Sequence, residues 1–256
     1  WALNPAIGTD KDLSFVPMVW GNFGDEWLAD PENKKYGTVL SFNEPDWSDQ
    51  SNVPVTKAQA QAWVERYNSA NGTSNTAPKS LEESWQPFMD SGLRIGSPAT
   101  ALAPPYCNGS ITMNNVDGPD NWWFDFMDLM NQHEEWDYDF VAIHSYNDGC
   151  DADSFLQMID DTYALTHKPI WITEFGVAKW DGSNGTWVGT PQQREQVKEF
   201  MIEVINGLEE RDFVERYAWF PFDPNDAFGG ASGIFDYATG ELNELGQTYV
   251  RVTGRL

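Results

Sequence analysis

Cysteine is nearly missing from this chain of 256 residues: there are two, Cys107 and Cys150. A pair so isolated excludes a cysteine-built metal framework and a disulfide-dense scaffold. Histidine is as sparse, with three, and His133, His144 and His167 do not fall at metal-ligand spacings, so no metal site is expected. Basic residues are few: 15 Lys and Arg stand against 40 Asp and Glu, a formal net charge of −25. A surface of that sign repels phosphate backbones and anionic lipid, which argues against nucleic-acid and membrane partners and for a neutral substrate. Long apolar runs are missing too. Hydrophobic residues make up 41% of the chain, yet no stretch approaches the ~20 apolar residues of a membrane span. No glycine-rich dinucleotide loop or phosphate-binding loop follows an apolar run, so neither a nucleotide fold nor any cofactor is expected.

What the chain does contain is an alternation. Short apolar runs occur at Phe15–Trp20, Thr38–Asn43, Leu93–Ser97, Phe140–Tyr146, Pro169–Phe175 and Tyr217–Phe222, and Trp1–Asn4 reads as the end of another. Continuous runs of this length suit parallel strands buried on both faces. Helical patterns lie between them. Thr56 caps a helix through about Ser69; Pro119–Gln132 and Ser154–Leu165 are amphipathic; Leu242–Val250 forms a last helix. The clearest begins at Thr190, with Pro191 at the first helical position and Gln193 two residues later, a capping box. Its apolar residues Val197, Phe200, Met201, Val204, Ile205 and Leu208 recur at helical spacing.

Strand–helix alternation predicts an α/β fold with a parallel sheet. The length is close to the ~250 residues of one (β/α)8 TIM barrel. We therefore expect a single catalytic domain over residues 1–256, acting as a monomer. Seven strands are counted where a barrel has eight, so either the first strand is lacking or trimmed or one strand goes unread, and the chain, which begins inside a strand-like segment, is expected to be processed or trimmed. Three sequons, at Asn71, Asn108 and Asn184, sit in loop-like sequence and point to a secreted, extracellular protein. Cys107 and Cys150 follow neighbouring strands, and a disulfide between them is expected to tie two loops.

In such barrels the chemistry stands at the C-terminal ends of the strands. Two of those ends carry glutamate: Asn43-Glu44-Pro45-Asp46 and Glu174-Phe175-Gly176. Glycosidic cleavage commonly uses two carboxyls, one to protonate the leaving oxygen and one to attack the anomeric carbon or activate water. Asn43 is placed to bind a sugar hydroxyl, and His144 or Tyr146 to orient a carboxylate. The chain holds 13 Trp, 9 Tyr and 15 Phe, and indole faces stack well on sugar rings. Trp20 and Trp219 at strand ends, and Trp47, Tyr106 and Trp180 in the loops after strands, are the candidates to line a cleft. Trp63, Trp122, Trp123, Trp136 and Trp171 are expected in the core.

The segments FVPMVWG, VLSFNEPDWS, RIGSPA, FVAIHSY and PIWITEFG resemble the glycosyl hydrolase catalytic core of glycoside hydrolase family 128. The resemblance runs from about Trp1 to Phe222. It implies a clan A barrel, endo-β-1,3-glucanase activity on a neutral β-glucan and a retaining, double-displacement mechanism. By it Glu44 is the acid/base and Glu174 the nucleophile. The family's aromatic position after its second strand is matched only by Trp1 and the Asn4-Pro5 pair. Two other readings stand beside this one: another clan A β-glycanase cutting β-1,4-glucan or mannan, and a non-catalytic protein that binds wall glucan on the same barrel.

Overall fold

Parallel strands hydrogen-bond to neighbours that are distant in sequence, so the chain must return through helices on the sheet faces. The computed structural model follows that plan over the residues it describes, 15–47, 49–104, 122–179 and 187–254. The expected strand Trp1–Asn4, together with Tyr106, Cys107, Trp180 and the sequon asparagines Asn108 and Asn184, lies outside them. The chain divides into two units, Trp1–Ile143 and His144–Leu256.

In the first unit, strand β1 (Thr38–Val39) pairs in parallel with β2 (Arg94–Ile95), Thr38 opposite Arg94 and Val39 opposite Ile95. Further parallel bridges join Met18 to Leu40, Asn43 to Ala99, Gly96 to Phe140 and Thr100 to Ile143. The ladder is tightest at Gly96, where a Cβ would lie 2.7 Å from the Phe140 ring. Four helices complete the unit: α1 (Asp25–Ala29), α2 (Lys57–Asn71), α3 (Gln86–Ser91) and α4 (Trp122–Gln132). The predicted Thr56 cap holds, with Gln59 closing a capping box. Trp85, Phe88, Trp123, Phe126, Phe42 and Phe140 are all buried. Phe42 meets Phe88 edge-on at 5.7 Å between ring centroids, the geometry that aromatic quadrupoles favour.

Strand β3 (Val141–Asn147) carries the chain into the second unit. There β4 (Ile170–Val177) is buried at every position, as a central parallel strand should be. The sheet order is β3-β4-β5, and β5 (Val214–Trp219) pairs in parallel with β4. Helices α5 (Ala152–Thr166), α6 (Pro191–Glu209) and α7 (Glu244–Val252) are capped by Asp151, Thr190 and Asn243. The apolar stripe read for α6 is the buried stripe. Gly207 lets α6 approach α5 closely, since a Cβ there would meet the Leu156 side chain at 2.4 Å.

The class is α/β with parallel sheets. Among the described residues the strands form a two-stranded and a three-stranded sheet plus single bridges, and no closed barrel is traced. Phe15–Trp20 contributes a bridge at Met18 rather than a full strand. Strand β5 starts at Val214, three residues before the expected Tyr217, and ends at Trp219, so Phe220–Phe222 leave the sheet. The expected disulfide joins Cys150 to Cys107, which lies outside the described residues; Cys150 itself stands as a free, half-buried thiol in a left-handed turn, φ 53°. That turn is closed by the Asn147 carboxamide oxygen, which accepts from the Gly149 and Asp151 amides. Burial pushes the Cys150 thiol up to about 12. No helix of the described residues is long and apolar enough to cross a membrane.

Candidate active site

Of the two glutamates singled out in the sequence, Glu44 directly follows the parallel bridge at Asn43 and Glu174 lies in the C-terminal half of β4, one in each unit. In the first unit the backbone around Glu44 is tied to both neighbouring segments. The Asn43 amide donates to the Trp20 carbonyl at 3.1 Å and the Glu44 amide to the Ala99 carbonyl at 2.7 Å. Glu44 itself takes a left-handed conformation, φ 41°. For a residue with a side chain this costs on the order of 1–3 kcal/mol, and such strain persists where the surroundings over-determine it. The surroundings do so here. Trp47 N–H donates to the Glu44 carbonyl at 3.0 Å and Val53 N–H to the Pro45 carbonyl at 2.9 Å. Buried Asp46 accepts from the Ala101 amide at 2.9 Å. Asn43 is buried, and its carboxamide donates to Gln50 Oε1 at 3.2 Å. Glu44 is half-buried on this braced turn. Trp20 is half-buried beside the exposed Phe23, 6.1 Å between rings, and Trp47 is exposed.

In the second unit Glu174 is the fifth residue of β4 and only 8% exposed. His144 and Tyr146, two residues apart on β3, reach it from the neighbouring strand, as the two-residue period of a strand allows. Tyr146 Oη donates to Glu174 Oε2 at 2.5 Å. His144 Nδ1 lies 3.6 Å from the same oxygen, an ion pair when the imidazole is protonated. The carboxylate is thus oriented through Oε2 by a phenol and an imidazole. The chemistry that such an arrangement serves is that of a positioned carboxylate, acting as nucleophile or base.

Tyr146 is itself held. Its ring stands edge-on to Phe220 and Phe222, 5.6 Å from each. In the sequence these two phenylalanines read as the end of a strand, and their bracing role follows from the chain leaving the sheet after Trp219. Trp219, expected as a cleft residue, is 5% exposed. Its indole N–H donates to the Ser232 carbonyl at 2.8 Å, and its ring packs edge-on to Phe175 at 5.1 Å. It supports the sheet rather than a surface. Trp122, Trp123, Trp136 and Trp171 are buried, whereas Trp63 is half-buried.

Comparison with known proteins gives the following. Residues 1–77 and 66–249 match the family model described as the glycosyl hydrolase catalytic core. A curated relative, alkali-sensitive linkage protein 1 of Schizosaccharomyces pombe, is 30% identical over 216 residues, 83% of this chain. The chain spans about a third of that relative, 32% of its length. Among solved structures, a subgroup I endo-β-1,3-glucanase of glycoside hydrolase family 128 from Amycolatopsis mediterranei, in complex with laminaripentaose, is similar. Its TM-score is 0.69 at 24% identity, covering 97% of this chain and 87% of that one. A subgroup II endo-β-1,3-glucanase from Pseudomonas viridiflava gives a TM-score of 0.60 at 28% identity, covering 92% and 78%. A subgroup V exo-β-1,3-glucanase from Cryptococcus neoformans gives 0.57 at 23%, covering 96% and 83%.

Proposed function

The chain belongs to the glycosyl hydrolase catalytic core family, and from that premise we propose that it is a retaining endo-β-1,3-glucanase, acting outside the cell on a neutral β-glucan. The finer architecture we propose is a (β/α)8 barrel. The observation that carries the reading is the buried Glu174 carboxylate in the C-terminal half of β4, oriented by Tyr146 and His144. Folding alone does not call for an acid in such surroundings.

The chemistry runs in two displacements. In the first, Glu174 attacks the anomeric carbon while Glu44 gives its proton to the leaving glycosidic oxygen. The C–O bond to the departing chain breaks, and a glycosyl ester forms on Glu174. In the second, Glu44, now a carboxylate, takes a proton from water. That water attacks the same carbon, the ester bond breaks, and Glu174 is regenerated. Two inversions leave the anomeric configuration as it began. Tyr146 shares its proton with Glu174 Oε2 throughout and keeps the nucleophile in one rotamer. The braced, strained turn fixes Glu44 before substrate arrives, so that little reorganisation is needed at the moment of reaction. Trp20, Trp47 and Asn43 supply sugar contacts around Glu44. Tyr106 and Trp180 remain candidates for the cleft by their place in the sequence.

A panel of polysaccharides tests this. Reducing ends are expected from linear β-1,3-glucan, as oligosaccharides of many lengths, and not from β-1,4-glucan or mannan. Glu44→Gln should lower turnover by about 100-fold or more, the usual contribution of a general acid–base. Cleavage of mannan or β-1,4-glucan alone would move the assignment to another β-glycanase. Binding of β-1,3-glucan without any cleavage would make it a wall-glucan-binding protein.

A further inference from the structure

The second unit carries a cavity of about 730 Å³ at the start of α6, beside the loop that follows Phe222 and the start of α7, and none of Glu174, His144 or Tyr146 lines it. The volume is that of a small-molecule site. Its lining is mixed. Tyr237 is 56% exposed, yet its hydroxyl donates to the Pro221 carbonyl at 3.3 Å. An aromatic ring is thus pinned in place while most of it meets solvent. Arg194 uses Nε on the Gly189 carbonyl at 3.0 Å. Its terminal guanidinium nitrogens make no hydrogen bond among the described residues. Lys198, by contrast, is held by Glu195 at 2.6 Å and Glu244 at 2.9 Å.

The charges select the ligand. Three carboxylates, Glu195, Asp236 and Glu244, outnumber the two cations Arg194 and Lys198 around the cavity. A polyanion is therefore repelled, and a purely apolar molecule would have to desolvate charged groups. An uncharged, hydroxyl-rich molecule with a flat C–H face satisfies both the pinned ring and the unused guanidinium donors. We infer that this cavity is a second glucan-contact site, separate from the Glu174 centre. In it a sugar ring stacks on Tyr237 and its hydroxyls accept from the Arg194 guanidinium. The inference rests on the glucanase reading and deepens it, by assigning where a long neutral chain is gripped beyond the scissile bond.

The test compares the parent with Tyr237→Ala and Arg194→Ala on two substrates. One is linear β-1,3-glucan polysaccharide; the other is the shortest β-1,3-gluco-oligosaccharide the parent cleaves. KM for the polysaccharide should rise about 3- to 10-fold in each variant, the range expected for losing one aromatic or charged sugar contact. Values of kcat, and both constants on the short substrate, should stay at the parental level. Retardation of the protein in a gel containing the polysaccharide should weaken in parallel. Tyr237→Phe keeps the stacking face and loses only the Pro221 hydrogen bond, so its KM should lie between the parent and Tyr237→Ala, which a general loss of folding would not reproduce. Unchanged KM and gel retardation in both alanine variants, with the parent active, would overturn this site and leave the glucanase reading standing. A parent that neither cleaves nor binds β-1,3-glucan would overturn both.

Discussion

The position of Tyr146 makes a single oxygen atom decisive. Its phenol donates to Glu174 Oε2, and its ring is braced by Phe220 and Phe222. A hydrogen bond to a charged group is worth about 1.5–3 kcal/mol. Tyr146→Phe keeps the ring packing and removes only that bond, so kcat on β-1,3-glucan should fall about 10- to 100-fold while the melting temperature stays close to parental. Steady-state kinetics with a parallel thermal melt checks this. A variant with full kcat would show that Tyr146 does not position the nucleophile. At this scale the sequence is informative in a specific way. Glu174 and the pair His144 and Tyr146 can be placed because each lies in the last part of an apolar run and because i, i+2 spacing on a strand points two side chains the same way. The left-handed turn at Glu44 cannot be read, since Asn-Glu-Pro-Asp is compatible with ordinary extended backbone. Its φ goes with hydrogen bonds from this turn to Ala99 and Ala101, which are remote in sequence, and to Val53 in the loop that follows.

At the scale of elements, α5 and α6 meet at a glycine. Gly207 lies inside α6, where glycine weakens a helix by about 1 kcal/mol, and it is retained because Leu156 occupies the space a Cβ would need. Gly207→Ala should therefore destabilise by about 1–3 kcal/mol despite the better helix former, through overpacking. Denaturant unfolding measures it; a stabilised variant would show that the α5–α6 contact yields without cost. The capped helices are legible because their signals are local: Thr56 with Gln59 and Thr190 with Gln193 close capping boxes as read. Helices α1 and α3, five and six residues long, are not legible. Fewer than two turns show no periodicity, so only a cap can announce them, and neither has a side-chain N-cap. The start of β5 is hidden for a different reason. Val214, Glu215 and Arg216 are partly or fully exposed, so the apolar run that marks a buried strand begins only at Tyr217.

For the whole molecule, charge dominates. With a net charge of −25, self-repulsion opposes the compact state, and salt screens it over about 10 Å at 0.1 M. The melting temperature at pH 7 should rise as sodium chloride goes from about 10 mM to about 0.5 M. A fall would mean that ion pairs such as Arg211–Asp160, bidentate at 2.7 Å, outweigh the repulsion. The same charge agrees with an uncharged substrate. The central claim, that Glu174 becomes covalently glycosylated, is tested most directly by trapping. A β-1,3-linked disaccharide fluoride bearing fluorine at C2 of the reacting sugar reacts quickly in the first displacement and slowly in the second, so the ester accumulates. The account predicts time-dependent inactivation, a mass gain equal to the whole fluorinated disaccharide residue, and its location on the peptide containing Glu174. An adduct on any other residue, or steady turnover with no adduct, would contradict it.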